Sequence, residues 1–80
     1  MTQPQELTTI RDIVGRHLQR RGPLTDETRL VSGGLIDSMS IVDLILDLQG
    51  AFGITIPAGE VQPDDFDSVD AIARTIARFR

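Results

Sequence analysis

Few side chains in this sequence can do chemistry. Cysteine is absent, which excludes disulfides and thiolate metal sites. It also points to a reducing compartment, because small secreted domains usually need such staples. His17 is the single histidine and sits in HLQRR, among neighbours that point to solvent. A hydrolytic serine needs a base held against it and an acid to orient that base. No Ser38–His17–Asp triad is therefore expected, and a chain of 80 residues has little bulk to enclose a dry pocket. Asp64, Asp65 and Asp67 crowd together without the spacing of a calcium loop. They are read as negative charge at a helix start, and no metal site is expected. Gly33-Gly34 lacks the following Lys-Ser/Thr of a phosphate loop.

Ser38 is left, in the stretch GGLIDSMSIVDLI at positions 33 to 45. Asp37-Ser38 follows the glycine pair and opens the most apolar run of the chain. Either residue can cap a helix by satisfying its unpaired N–H groups. A hydroxyl there also stands at the mouth of a loop. A phosphate ester on it would meet the positive end of the helix dipole, an interaction worth about 0.3–1 kcal/mol. The glycines would let another protein come close. On these residues alone, cap and attachment point both stand open.

The elements that must position Ser38 follow from periodicity. Leu7, Ile10, Val14 and Leu18 recur at helical spacing, with Ile13 widening the stripe. Thr2 with Gln5 resembles a capping box, Pro4 suits a first turn, and Gly22-Pro23 should end this helix near Arg21. Residues 22 to 36 read as a long loop pinned by Leu24, Leu30 and Leu35. Loops of that length are usually functional or disordered. A second helix should run from Asp37 or Ser38 to Phe52 and stop at Gly53. Ile54-Thr55-Ile56-Pro57 reads as an extended connector that buries both isoleucines. Residues 58 to 62 should form a turn or short helical piece, and Pro63 to Phe66 one more helical turn. Asp67 or Ser68 should cap a last helix with Val69, Ile72, Ala73, Ile76 and Phe79 as its stripe. The fold class expected is all-α: a single domain over 1–80, a small bundle of three main helices plus one short helix.

The second helix has more apolar positions than one face needs. Ile41, Leu44, Ile45, Leu48 and Phe52 form a stripe sufficient for a small core. Met39, Val42 and Leu46 form a second, offset stripe. Either the helix lies central and buries both, or the second stripe is an exposed docking surface beside Asp43 and Asp47. Methionine adapts well to differing partners. Pattern alone does not choose between the two.

Net charge is −4, unevenly spread: all eight basic residues are Arg, and none lies between Leu30 and Ala73. That segment holds eight acidic residues, so it would repel nucleic acid and attract a basic protein surface. A merely solubilising acidic face is the plainer alternative. No apolar run approaches a membrane span, and MTQPQELTTIRD lacks the basic and apolar regions of a signal peptide, so a cytoplasmic protein is expected.

Gly34-Leu35-Ile36-Asp37-Ser38-Met39 resembles the signature of the acyl and peptidyl carrier proteins, G-[LF]-x-D-S-[LM] in loose form. The resemblance extends through the Phe-Gly-Ile-x-Ile-Pro connector, the acidic segment and the final Asp-Ser-Val-led helix. It implies an acyl-carrier-protein-like four-helix bundle that is monomeric and not an enzyme. It implies 4′-phosphopantetheine, donated by coenzyme A and attached to Ser38 through a phosphodiester, with Asp37 helping a phosphopantetheinyl transferase find the site. Met39, Val42 and Leu46 become the strip read by partner enzymes, with Asp43, Asp47 and Glu60 as the acidic surround. The other partners implied are a loading ligase and downstream biosynthetic enzymes, with no nucleic acid and no membrane insertion. The cargo expected is an acyl or aminoacyl thioester on a stand-alone carrier of fatty-acid, polyketide or other specialised biosynthesis. Asp-Ser-Met, Leu46-Asp47-Leu48-Gln49 and Phe52-Gly53-Ile54-Thr55-Ile56-Pro57 also look like D-alanyl carrier proteins, though Ala58 to Pro63 follow that subgroup only in part. A D-alanyl, aminoacyl or peptidyl carrier is therefore the alternative, and an unmodified helical adaptor is a second one of another class.

Overall fold

Pro4 opens the first helix of the computed structural model, which describes residues 3–18 and 24–80. Helix α1 runs Pro4–His17; Gln3 precedes it in extended geometry and gives no side-chain cap. Thr2 of the expected capping box lies outside the described residues. Proline fits a first turn because that N–H has no helical partner to lose. The helix stops earlier than the expected Arg21. Leu18 turns extended (φ −73°, ψ 135°) and packs its side chain against the core. Gly22-Pro23, read as the stop, lie outside the described residues. Ile10, Ile13 and Val14 form the buried stripe, with Leu7 at its edge.

The segment after residue 24 is pinned by Leu30 and Ile36, both buried, and by Leu24 and Leu35 in part. The Leu30 carbonyl accepts the N–H groups of Leu35 and Ile36, both at 2.9 Å, and Gly34 N–H donates to Val31 O at 3.1 Å. Gly34 takes φ 76°, a region that favours glycine, and a Cβ on Gly33 would run into the Arg29 carbonyl. The glycine pair therefore builds a tight turn, which is more than giving access.

Helix α2 runs Ser38–Phe52, and Gly53 ends it in the left-handed region with its N–H donated to Gln49 O at 2.9 Å. The Gln49 side chain then accepts Ile56 N–H at 2.7 Å, which fixes the extended connector. Ile56 is buried as expected, whereas Ile54, expected to be buried too, is only half-buried. Two 3₁₀ turns follow, at Ala58–Glu60 and Pro63–Phe66, the second bringing Phe66 into the core. They stand where a short helical piece and one more helical turn were expected, so the four-helix bundle implied by the resemblance is corrected to three helices. Gln62 and Asp65 close a reciprocal capping box around a single turn, and the extended Ser68 keeps that turn from merging with the last helix. That helix, α3, runs Val69–Phe79 and is capped by Ser68 Oγ, which accepts Ala71 N–H at 3.0 Å. Its buried side is Val69, Ile72, Ala73 and Ile76, plus Thr75, whose hydroxyl lies 3.1 Å from Asp65 O and 2.9 Å from Ala71 O.

The fold is all-α, with three helices and no strand among the described residues. Helix α1 packs against both α2 and α3, and the Pro63–Phe66 turn bridges α3 to α2. No helix among the described residues is long and apolar enough to cross a membrane.

Candidate functional site

Asp37 is the N-cap of α2. It holds φ −88°, ψ 171°, and its Oδ1 accepts Ser40 N–H at 2.8 Å. Ser38 is thus the first helical residue, and its side chain is exposed. Its hydroxyl makes no hydrogen bond within the described residues, because the capping work falls to its neighbour. Of the two candidate caps, Asp37 does the capping, and Ser38 stands exposed beside it.

The second stripe of α2 faces outward. Met39 is 82% exposed, Val42 59% and Leu46 58%, while Ile41, Leu44 and Leu48 are buried on the opposite side. Asp37, Ser38, Met39, Ser40, Val42 and Asp43 line one shallow, open depression at the helix start. Leu46 continues the strip one turn further along. Glu60 is exposed on the first 3₁₀ turn, and its backbone carbonyl accepts Arg78 Nη2 at 3.2 Å. It does not line that depression.

Asp47 turns the other way, towards α1. Its Oδ2 lies 2.7 Å from His17 Nε2, where an imidazole N–H donates to the carboxylate. The His17 side chain is only 15% exposed, which corrects the expectation of a solvent-facing histidine. The physical reason was legible: His17 falls three residues after Val14 and four after Ile13, on the stripe that packs inward. The pair joins the last turn of α1 to the middle of α2 and leaves Asp47 half-exposed. A double-mutant cycle with His17→Ala and Asp47→Ala, read by urea unfolding, should return a coupling of about 0.5–1 kcal/mol for this partly solvated bond.

Asp67, expected as a candidate cap of the last helix, leaves that cap to Ser68 and bonds to a distant loop instead. Residue Asp67 is 8% exposed, not a solvated charge at a helix start. Its Oδ1 accepts the N–H groups of Val31 and Ser32, each at 2.8 Å, and its Oδ2 accepts the Ser32 hydroxyl at 2.8 Å and Arg29 Nη1 at 3.3 Å. Its carbonyl accepts Leu30 N–H at 2.7 Å. Burial pushes the carboxyl up, but the donors from Ser32, Val31 and Arg29 outweigh it and hold it below its ordinary value. A carboxyl lowered in the fold stabilises the fold above its ordinary value of about 3.9, and that stabilisation disappears as pH falls through the lowered one. Thermal melts of wild type and Asp67→Asn should therefore differ most near neutrality and converge in strong acid. A gap that widened on acidification would contradict this.

Among the described residues no group of three or more His or carboxylate side chains is placed to hold a metal. An exposed serine hydroxyl stands at the start of a 15-residue helix, beside an outward apolar strip. Residues 7–76 match the family model of the phosphopantetheine attachment site, and the chain belongs to that family. The family's cofactor is 4′-phosphopantetheine, covalently attached. The start of α2 fits such a group, since it offers an exposed hydroxyl at the positive end of a helix.

The chain is homologous to small carrier proteins. It is 37% identical over 51 residues to the D-alanyl carrier protein of Streptococcus mutans, spanning 64% of this chain and 65% of that one. It is 38% identical over 53 residues to aminoacyl carrier protein 1 of Bradyrhizobium diazoefficiens, spanning 66% of this chain and 58% of that one. The matched part is thus less than two thirds of either relative's length. Among solved structures, it superposes on a chain of the Bradyrhizobium japonicum glycine:[carrier protein] ligase complexed with glycylated carrier protein. The TM-score is 0.74 at 30% identity, covering 89% of this chain and 97% of that one.

Proposed function

We propose that residues 1–80 act as one carrier domain that holds a small amino acid and presents it to partner enzymes without catalysing a reaction itself. The observation that carries this is the exposed Ser38 hydroxyl at the start of α2, which makes no hydrogen bond among the described residues, in a chain of the phosphopantetheine-attachment family. Ser38 is the attachment residue: its hydroxyl loses its proton and bonds to phosphorus as the nucleotide part of coenzyme A leaves. Once attached, the arm supplies a terminal thiol on which a carboxylic acid is held as a thioester. Asp37 keeps the helix start in one geometry for the transferase through its bond to Ser40 N–H. Met39, Val42 and Leu46 supply the apolar part of the surface read by transferase and loading ligase; Asp43 supplies the acidic part beside them, and the half-exposed Asp47 and the exposed Glu60 extend the negative charge at its periphery.

The relatives support the aminoacyl alternative over the fatty-acyl or polyketide cargo expected first from the sequence. They are D-alanyl and aminoacyl carriers, and the solved neighbour is a complex with a glycine ligase. To test this, the chain is converted with coenzyme A and a phosphopantetheinyl transferase, then offered ATP and glycine or D-alanine with the cognate ligases. Intact mass should rise first by one arm and then by one aminoacyl group. Loading by a fatty-acyl ligase alone would overturn the aminoacyl reading and return the cargo to the acyl class.

A further inference from the structure

The carboxylate of Asp67 is the one acidic side chain among the described residues whose residue is buried, and the proposed function gives it no task. It stands just before α3, yet its bonds go to residues 29 to 32, which are 35 to 38 positions away. From there the bonding continues towards α2. Val31 O accepts Gly34 N–H, and Leu30 O accepts Leu35 N–H and Ile36 N–H. Ile36 is buried and is followed directly by the cap Asp37 and then Ser38. A continuous run of bonds thus leads from the lead-in of α3 to the start of α2. The Gly33-Gly34 turn in its middle has little stiffness of its own, because glycine leaves the backbone free.

We propose that Asp67 is a positioning residue for the modification of Ser38, acting by holding the loop Leu30–Ser32 from which the helix start is presented. The proposal rests on Ser38 being the attachment residue. Asp67 touches no reacting atom. Its carboxylate gathers two backbone N–H groups and one hydroxyl that no other described group accepts. Without it the loop frays, and the transferase must order the loop as it binds, which weakens binding more than it slows the chemical step.

The test follows modification of the full chain by intact mass while coenzyme A is saturating and the carrier concentration is varied. Asp67→Asn keeps the shape but removes half of the acceptor set. Ser32→Ala, at an exposed position, removes one donor and leaves the core untouched. Asp67→Asn should raise the KM for the carrier about three- to tenfold with kcat nearly unchanged, the size of one or two lost hydrogen bonds. Ser32→Ala should raise it less. Amide exchange at Val31 and Ser32 should accelerate in Asp67→Asn while amides in the middle of α2 hold, so that a general loss of stability is told apart from loop fraying. If Asp67→Asn does not fold, Ser32→Ala alone carries the KM comparison. An unchanged KM in the folded variants, or unchanged exchange at Val31 and Ser32, overturns the positioning role alone. A wild type that gains no arm, or a Ser38→Ala variant that still gains one, overturns the attachment reading, and the positioning role with it.

Discussion

Replacing Ser38 with alanine is expected to abolish the phosphopantetheinyl mass gain while leaving the fold intact. The two halves of that result come from one observation. The Ser38 side chain is exposed and makes no hydrogen bond within the described residues, so nothing in the core depends on it. The cap belongs to Asp37, whose bond to Ser40 N–H survives the change. Alanine is also the best helix former at an exposed helical position. Stability should therefore stay within about 0.5 kcal/mol of wild type, the usual range for surface changes. Modification, in contrast, should fall from complete to none, because in the proposed attachment the hydroxyl oxygen itself enters the new bond. A mass gain that survived Ser38→Ala would move the attachment to another hydroxyl, of which Ser32 and Ser40 are the nearest in sequence.

Leu48→Ala and Met39→Ala should separate stability from recognition within a single helix. Leu48 is fully buried on the inner side of α2, among residues packed by α1 and the Pro63–Phe66 turn. Truncating a buried leucine removes its transfer energy and leaves a cavity, at about 2–5 kcal/mol. A chain of this length has about 4–12 kcal/mol of stability in all, so Leu48→Ala should be visibly unfolded at modest urea. Met39 keeps most of its surface in water, so its truncation should shift the urea midpoint hardly at all. Its effect should appear instead as weaker binding to the transferase or loading ligase, since an exposed apolar side chain gains its burial only in a complex. Equal destabilisation by the two changes would mean that the outward stripe is part of the core after all.

Most of the fold was legible in the sequence because its causes are local. The 3.6-residue period placed the inner faces of all three helices, and Gly53 marked the end of α2 by the backbone angle it permits. Asp37-Ser38 marked the beginning of α2, since caps bond to N–H groups only two or three residues on. The outward strip was legible as an excess of apolar positions, although only the packed structure shows that α2 does not bury both faces. Some of the misses have non-local causes. Asp67 looked like its acidic neighbours because its partners lie in another part of the chain. Thr75 was not in the expected α3 stripe, and in its buried place its hydroxyl meets the Asp65 carbonyl of the preceding turn. His17 was misjudged through its sequence neighbours, although its helical phase with Ile13 and Val14 pointed inward. The implied fourth helix shrank to 3₁₀ turns because caps at Gln62 and Ser68 bracket too few residues for more.

The bond between Asp67 and Ser32 spans 35 positions, and that span has a consequence for the order of events during synthesis. A ribosome that has just released Ser38 has made the hydroxyl but not the acid that fastens the loop before it. The loop can close only after the lead-in of α3 has left the exit tunnel. A nascent chain arrested before Asp67 emerges should therefore be a poor substrate for the transferase, although every residue from Gly33 to Leu46 is already exposed.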